Sequence, residues 1–282
     1  MTLVFFKRNF ILSSKYFIFL SLIVGSIITI IPIYVGLNNS LFILNENQIL
    51  YLYSNSSQVL AAIYGLTLTG FIFFRNELSR NEASDDTLSD ATDSLKKRYR
   101  SQLIFITILS VSTLITSNVV ISIESSEWKN AKIILMNLSQ SLFILSLIVI
   151  SFFIFDILEP KRIEKESLKI QSEIDPQESM SDKGDLSEFL KNFNKIEDLL
   201  KEYGSPLYSG TGNIKFISNK ILVNTIYRNE LIDNGLRDDI NKLVSLRNSI
   251  VHGAEPTVSN AIVELSKEVL ERLLTSLSQE KN

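Results

Sequence analysis

Hydrophobic and polar positions divide the chain near residue 158. Before that point, long apolar runs carry almost no charge; after it, apolar residues recur every three or four positions among charged ones. Four runs, at roughly 16–37, 58–74, 102–123 and 132–158, suit helices that cross a bilayer, which takes about 20 residues each. The second is the shortest and the fourth the longest, so their tilts are expected to differ. The first is expected to remain as a span. Its apolar run is too long for a cleaved leader and no small-residue cleavage site follows it.

Lysine and arginine set the expected orientation. Lys7, Arg8 and Lys15 precede the first span, and Arg75, Arg80, Lys96, Lys97, Arg98 and Arg100 lie between the second and third. Lys161, Arg162 and Lys165 follow the fourth. The opposite side holds only Lys129 and Lys132, because 38–57 has no basic residue. This bias implies a multi-pass protein of the cell inner or plasma membrane with both termini cytoplasmic, in contact with membrane lipid.

Within the spans, Ser21, Gly25 and Thr29 repeat every four residues, as do Ala61, Gly65 and Thr69. Small residues at that spacing let helices approach closely. Thr107, Ser110, Thr113, Ser117, Asn137, Gln140 and Ser141 are expected to form hydrogen bonds between helices rather than line a pore. No ionisable residue sits mid-span, where an ion path usually shows one. Asp156 falls at the end of the fourth span, where solvation is easy. The polar stretch between spans two and three reads as a mobile cytoplasmic loop leading into a helix, its basic end near lipid head groups.

The expected organisation is all-α: a four-helix transmembrane region at 1–158, a linker at 159–184 and a cytoplasmic helical bundle at 185–282. Leu186, Phe189, Leu190, Phe193, Ile196, Leu199, Leu200 and Tyr203 make one helical stripe, ended by Gly204 and a loop through 213. A second helix runs from about Ile217 to Ile232 and a third from Leu236 to Gly253. Val258, Ile262, Leu265, Val269, Leu273 and Leu277 mark the fourth.

Charge and composition narrow the chemistry. The net charge is −3, and from 185 onward acids outnumber bases 14 to 12, so no basic field recruits nucleic acid. With no cysteine and one histidine, disulfides, thiolate zinc sites and cysteine nucleophiles are excluded, and no metal or other cofactor is expected.

That histidine, His252, closes the third helix of the bundle in "SLRNSIVHGAEP". At about 100° per residue, Arg247 faces the centre of the stripe made by Leu236, Ile240, Leu243, Val244, Ile250 and Val251. Asn241, Ser245, Asn248 and His252 form an adjoining polar stripe. A guanidinium on an apolar face needs a partner or a wet groove. The ordinary reading is an ion pair with Glu197 or Glu264, with His252 at the negative end of a helix capped by Gly253.

"LRNSIVHG", closing an apolar helix and followed by another amphipathic one, resembles the signature of the HEPN superfamily: an arginine, a polar residue, several others, then histidine. Arg247, Asn248 and His252 match it, and the resemblance covers about 185–282. It implies metal-independent RNA cleavage at a homodimer or higher homo-oligomer interface. The implied catalytic residues are Arg247, His252 and Asn248. An imidazole with an ordinary pKa of about 6.5 suits proton transfer, and a guanidinium matches phosphate geometry. The expected function is a membrane-anchored RNA endonuclease of prokaryotic antiviral defence or a toxin-like stress response. The alternative is an oligomeric membrane effector, a pore or depolarising protein, whose HEPN-like domain senses or assembles without cutting RNA.

Overall fold

The computed structural model describes residues 14–38, 44–159, 161–176, 183–208, 217–253 and 256–278. Lys7, Arg8, residues 177–182 of the expected linker and 209–213 of the expected loop lie outside them. Among the described residues every regular element is helical: α1 Ser14–Asn38, α2 Glu46–Ser84, a 3-10 turn Asp86–Leu88, α3 Ser89–Ser122, α4 Lys129–Leu158, α5 Arg162–Ile174, α6 Leu186–Leu207, α7 Asn219–Arg228, α8 Asn234–His252 and α9 Asn260–Ser278. α1 to α4 are long and apolar enough to cross a membrane, as a membrane protein requires. The chain forms two compact units: Met1–Arg80 with Leu95–Pro160, and Asn81–Ser94 with Lys161–Asn282. α2 and α3 therefore contribute to both, residues 81–84 and 89–94 belonging to the second unit.

In the first unit α2 starts at Glu46, well before the expected second span. Asn45 and Gln48 explain the early start. Asn45 Oδ1 accepts from the Gln48 N–H at 2.9 Å and Gln48 Oε1 accepts from the Asn45 N–H at 3.0 Å, a reciprocal cap that satisfies otherwise orphaned donors. Ile49 and Tyr53 then pack with Val120 of α3, and the Tyr53 hydroxyl donates to the Met136 carbonyl of α4. At 39 residues α2 measures about 58 Å at 1.5 Å per residue, nearly twice the hydrocarbon thickness of a bilayer.

Several of the expected polar side chains join neighbouring helices, whereas Asn137 donates to the Ile133 carbonyl of its own helix and the buried Ser110 hydroxyl makes no hydrogen bond among the described residues. Thr113 meets Ser146 at 3.1 Å, Ser117 meets Ser139 at 2.8 Å and Tyr64 meets Thr107 at 2.9 Å. The Ser141 hydroxyl donates to the Ile28 carbonyl of α1 at 2.9 Å. The two small-residue stripes part company here. Ser21 and Gly25 are buried, and a Cβ on Gly25 would meet Leu145 Cδ2 at 2.6 Å. Ala61, Gly65 and Thr69 are all exposed, and nothing lies within 4 Å of a Cβ built on Gly65. Asp156 does not rely on water alone: Arg98 of α3, itself buried, forms an ion pair with it.

In the second unit Phe189, Phe193, Ile196 and Leu200 of α6 pack with Leu222 and Ile226 of α7, Ile240 and Leu243 of α8, and Val269 and Leu273 of α9. α6 continues past Gly204 to Leu207, with Pro206 inside its last turn. α7 ends at Arg228, four residues before the expected stop, and Glu230 turns the chain with a left-handed φ of 61°. Asp233 starts α8 by accepting from the Leu236 N–H at 2.7 Å, a cap worth about 1 kcal/mol.

Two expectations are corrected. The supposed linker is helical over Arg162–Ile174 and packs on α8. The supposed mobile loop after span two is two helix ends closed by the 3-10 turn, with Ala91 of the second unit buried. α5 buries Glu166, Ser167 and Gln171, a polar face. Ser94 donates to Glu166 Oε1 at 2.6 Å, and Lys169 pairs with the same carboxylate at 3.2 Å. Gln171 donates to the Thr257 carbonyl at 3.0 Å, and Asp175 accepts from the Ser259 N–H at 2.8 Å. The Gly184 N–H donates to the Val258 carbonyl at 2.8 Å, so the segment ahead of α9 is held from two sides.

A Cβ on Gly184 would stand 2.6 Å from the Ser259 carbonyl oxygen and 2.7 Å from Val263 Cγ2, so backbone would have to shift to admit it. Gly184→Ala is expected to lower the stability of the full chain by about 1–3 kcal/mol. Gly65→Ala, in open space on a helix, is expected to be neutral or to gain up to about 1 kcal/mol. Thermal melting of the two variants in the same detergent checks the contrast.

Candidate functional site

α8 is the central helix of the second unit, packed by α5, α7, α9 and the 3-10 turn. Its buried set includes Leu246 as well as the expected Leu236, Ile240, Leu243, Val244 and Ile250. Val251, expected in the apolar stripe, is instead 53% exposed near the end of the helix. A helix enclosed on several sides has no single apolar face, which is why Leu246 is buried outside the expected stripe.

The polar stripe of α8 lies under the 3-10 turn. Asp85 caps that turn: its Oδ1 accepts from the Thr87 N–H at 3.0 Å and from the Thr87 hydroxyl at 2.6 Å. Thr87 Oγ1 in turn lies 2.5 Å from His252 Nε2, and Asp85 Oδ2 is 3.7 Å from the same nitrogen. A threonine hydroxyl has one proton. With that proton directed at Asp85, the second contact requires His252 Nε2 to carry a hydrogen and donate it to Thr87. The result is a relay from imidazole to hydroxyl to carboxylate. In a neutral His252, Nδ1 is then the nitrogen able to accept a proton.

Asn248, also buried, meets the same turn. It lines a cavity of about 40 Å³ with Asp86, Thr87, Ser218, Lys220 and Val244, room for an ordered water. Lys220, on the first turn of α7, forms an ion pair with Asp90 on the first turn of α3.

Arg247 is half-buried, its guanidinium carbon 5.9 Å from the centre of the Phe193 ring. A cation over an aromatic face recovers part of its hydration energy. Neither carboxylate expected to pair with it does so. Glu264 pairs with Lys267 at 2.9 Å, and Glu197 pairs with Lys201 at 3.2 Å and accepts from Asn219 at 3.1 Å. Burial pushes the Glu197 carboxyl up, but those two partners outweigh it, and with the charge of Arg247 they hold it below the ordinary range.

Asp85 and Asp86 are opposed. The Thr87 hydroxyl, helped by the charges of His252 and Arg247, holds Asp85 below its ordinary value. Burial pushes Asp86 above it, against a hydrogen bond with Ser218. His252 thus meets Asp85 and Thr87, Arg247 lies over Phe193, and Asn248 lines the small cavity. Among the described residues no group of three or more His, Asp or Glu could hold a metal ion.

Gly253 ends α8 in an extended conformation, φ −85° and ψ 163°, not in the left-handed one common after helices. Its missing side chain matters for space: a Cβ would meet the Ser249 carbonyl oxygen at 2.9 Å and Gln171 Oε1 at 3.3 Å. Reading the sequence missed Asp85, Thr87 and α5. The Asp-x-Thr spacing of a capped turn was the available signal.

Family models, curated proteins and solved structures offer no match to this chain.

The two aspartates are expected to shape the acid limb of stability in opposite ways. Asp85 titrates lower folded than unfolded, so its contribution is complete above the ordinary carboxylate value of 3.8 and is lost as pH falls through its folded value. Asp86 titrates higher folded, so stability is lost as pH rises from 3.8 through its folded value, and its charge is a cost at neutrality. At pH 7, Asp85→Asn is expected to lower the melting temperature of the full chain and Asp86→Asn to leave it unchanged or raise it. Melting curves between pH 3 and 7 check both signs.

Proposed function

We propose that the chain is a membrane-anchored HEPN-type RNA endonuclease, in which Arg247 and His252 act on the scissile phosphodiester and Asn248, lining the small cavity beneath the turn, contacts a neighbouring phosphate. The observation that carries this reading is the sole histidine set beside an anionic group, with Asp85 Oδ2 at 3.7 Å from His252 Nε2, on the same helix that bears Arg247. A cation and a proton-transfer group around an anion are what cleavage through the RNA 2′-hydroxyl needs. The imidazole moves protons and the guanidinium steadies the phosphorane charge. In this reading two copies of α8 face each other in a homodimer. The reading includes a cytoplasmic second unit and a role in antiviral defence or a toxin-like response.

A second reading has its own support. α2 and α3 each carry a candidate span and one side of the turn that meets His252. An effector that permeabilises the membrane on a signal at the HEPN-like unit would use that continuity, with the open Ala61, Gly65 and Thr69 face as a seat for another copy.

The test uses the full chain, because residues 81–94 and α5 belong to the second unit. Reconstituted in vesicles loaded with dye and offered single-stranded RNA, it is expected to cut the RNA without dye leakage. His252→Ala and Arg247→Ala are each expected to slow cutting at least about 100-fold with unchanged helicity. Dye release that persists in His252→Ala, with no cleavage by the parent, would establish the effector reading instead.

A further inference from the structure

Asp85 stands where an anionic ligand of His252 would be expected. Its Oδ2 is 3.7 Å from His252 Nε2, and its Oδ1 takes the Thr87 proton that leaves Thr87 Oγ1 as the acceptor for the imidazole. The Nε2 end of the imidazole is thus occupied by the chain itself. A phosphodiester is a second negative charge. Placed against an ionised Asp85 it is repelled by about 1 kcal/mol or more at contact distance even in water, roughly a fivefold loss of affinity. The two anions therefore compete.

The turn that bears Asp85 is well suited to giving way. No residue of Asp86–Leu88 is buried, and Asp85 itself is 45% exposed, so its withdrawal uncovers little apolar surface. Asp90 and Ser94, a turn further on, keep separate anchors in Lys220 and Glu166, so the start of α3 stays attached when the tip moves.

We propose that Asp85 and Thr87 form an internal latch: the Asp85 carboxylate acts as a stand-in anion at His252, and an RNA phosphodiester must displace it to bind. This rests on the RNA-directed reading above, and adds to it that the structure described here is the closed form. The α2–α3 turn becomes the regulatory element. Because α2 and α3 are also candidate spans, a change in the membrane helices has a covalent route to the latch.

His252 is the sole histidine, so histidine-labelled full chain in nanodiscs gives imidazole NMR signals from this residue alone. The probes are inorganic phosphate and a short single-stranded oligoribonucleotide made uncleavable by 2′-O-methylation. The oligonucleotide is expected to shift the His252 signals at a concentration at least about fivefold lower in Asp85→Asn than in the parent, with Thr87→Val moving the same way. Thr87→Ser, which keeps the hydroxyl, is expected to behave as the parent. Equal or weaker binding in both Asp85→Asn and Thr87→Val, or no shift in any form, would overturn the latch. A response to inorganic phosphate alone would overturn it too, since the site would then take a free anion and not a polynucleotide. Cleavage of unmodified RNA separates this inference from the one beneath it. If the parent cuts and Asp85→Asn binds no tighter and cuts no faster, the latch fails and the ribonuclease stands. If Asp85→Asn binds the oligonucleotide more tightly and neither form cuts, the latch stands and the ribonuclease fails.

Discussion

Thr87 has one hydroxyl proton, and the arrangement around His252 depends on where that proton goes. Directed at Asp85, it leaves the oxygen as an acceptor and obliges His252 to donate from Nε2. One hydrogen-bond chain thereby sets the tautomer of the imidazole, the position of the 3-10 turn and the availability of the ring tip. A net hydrogen bond contributes only about 1 kcal/mol to stability, so such a chain orients more than it holds. The holding is done by the apolar core of α6 to α9 and by the two polar clamps on the segment ahead of α9.

The charges near this chain are balanced rather than uniform. Lys220 is paired with Asp90 and Lys201 with Glu197, while Arg247 rests over Phe193 and meets the acids only through its field. An arginine kept from a close carboxylate retains donors for another anion. The same neighbourhood carries Asp85 and Asp86, which disfavour any polyanion while the turn is in place. Attraction and exclusion come from segments of one unit that lie 165 residues apart in the chain and meet at Thr87 and His252.

Helices with an apolar stripe were legible in the sequence. The stripes of Phe189, Phe193 and Ile196 and of Val269, Leu273 and Leu277 mark α6 and α9 to within a turn, because burial of apolar surface leaves a period that side chains record. Less legible were elements whose contacts are polar. α5 buries Glu166, Ser167 and Gln171, and a hydrophobic pattern reads such a face as solvent-exposed. The α2–α3 turn was taken for a mobile loop for the same reason: its capping acid and threonine look like any polar pair until a partner is brought to them. The early start of α2 was written in Asn45 and Gln48, a local signal that an average over apolar windows passes by.

From composition and periodicity alone come the all-helical class, the four candidate spans and the singular place of Arg247 and His252 on one amphipathic helix. These are properties of neighbours a few residues apart, and local spacing suffices to state them. What covers His252 and what Arg247 lies against involve residues distant in sequence, namely Asp85 and Thr87, and Phe193. Only tertiary structure decides them, because a hydrogen bond or a close approach between remote segments leaves no period in the chain.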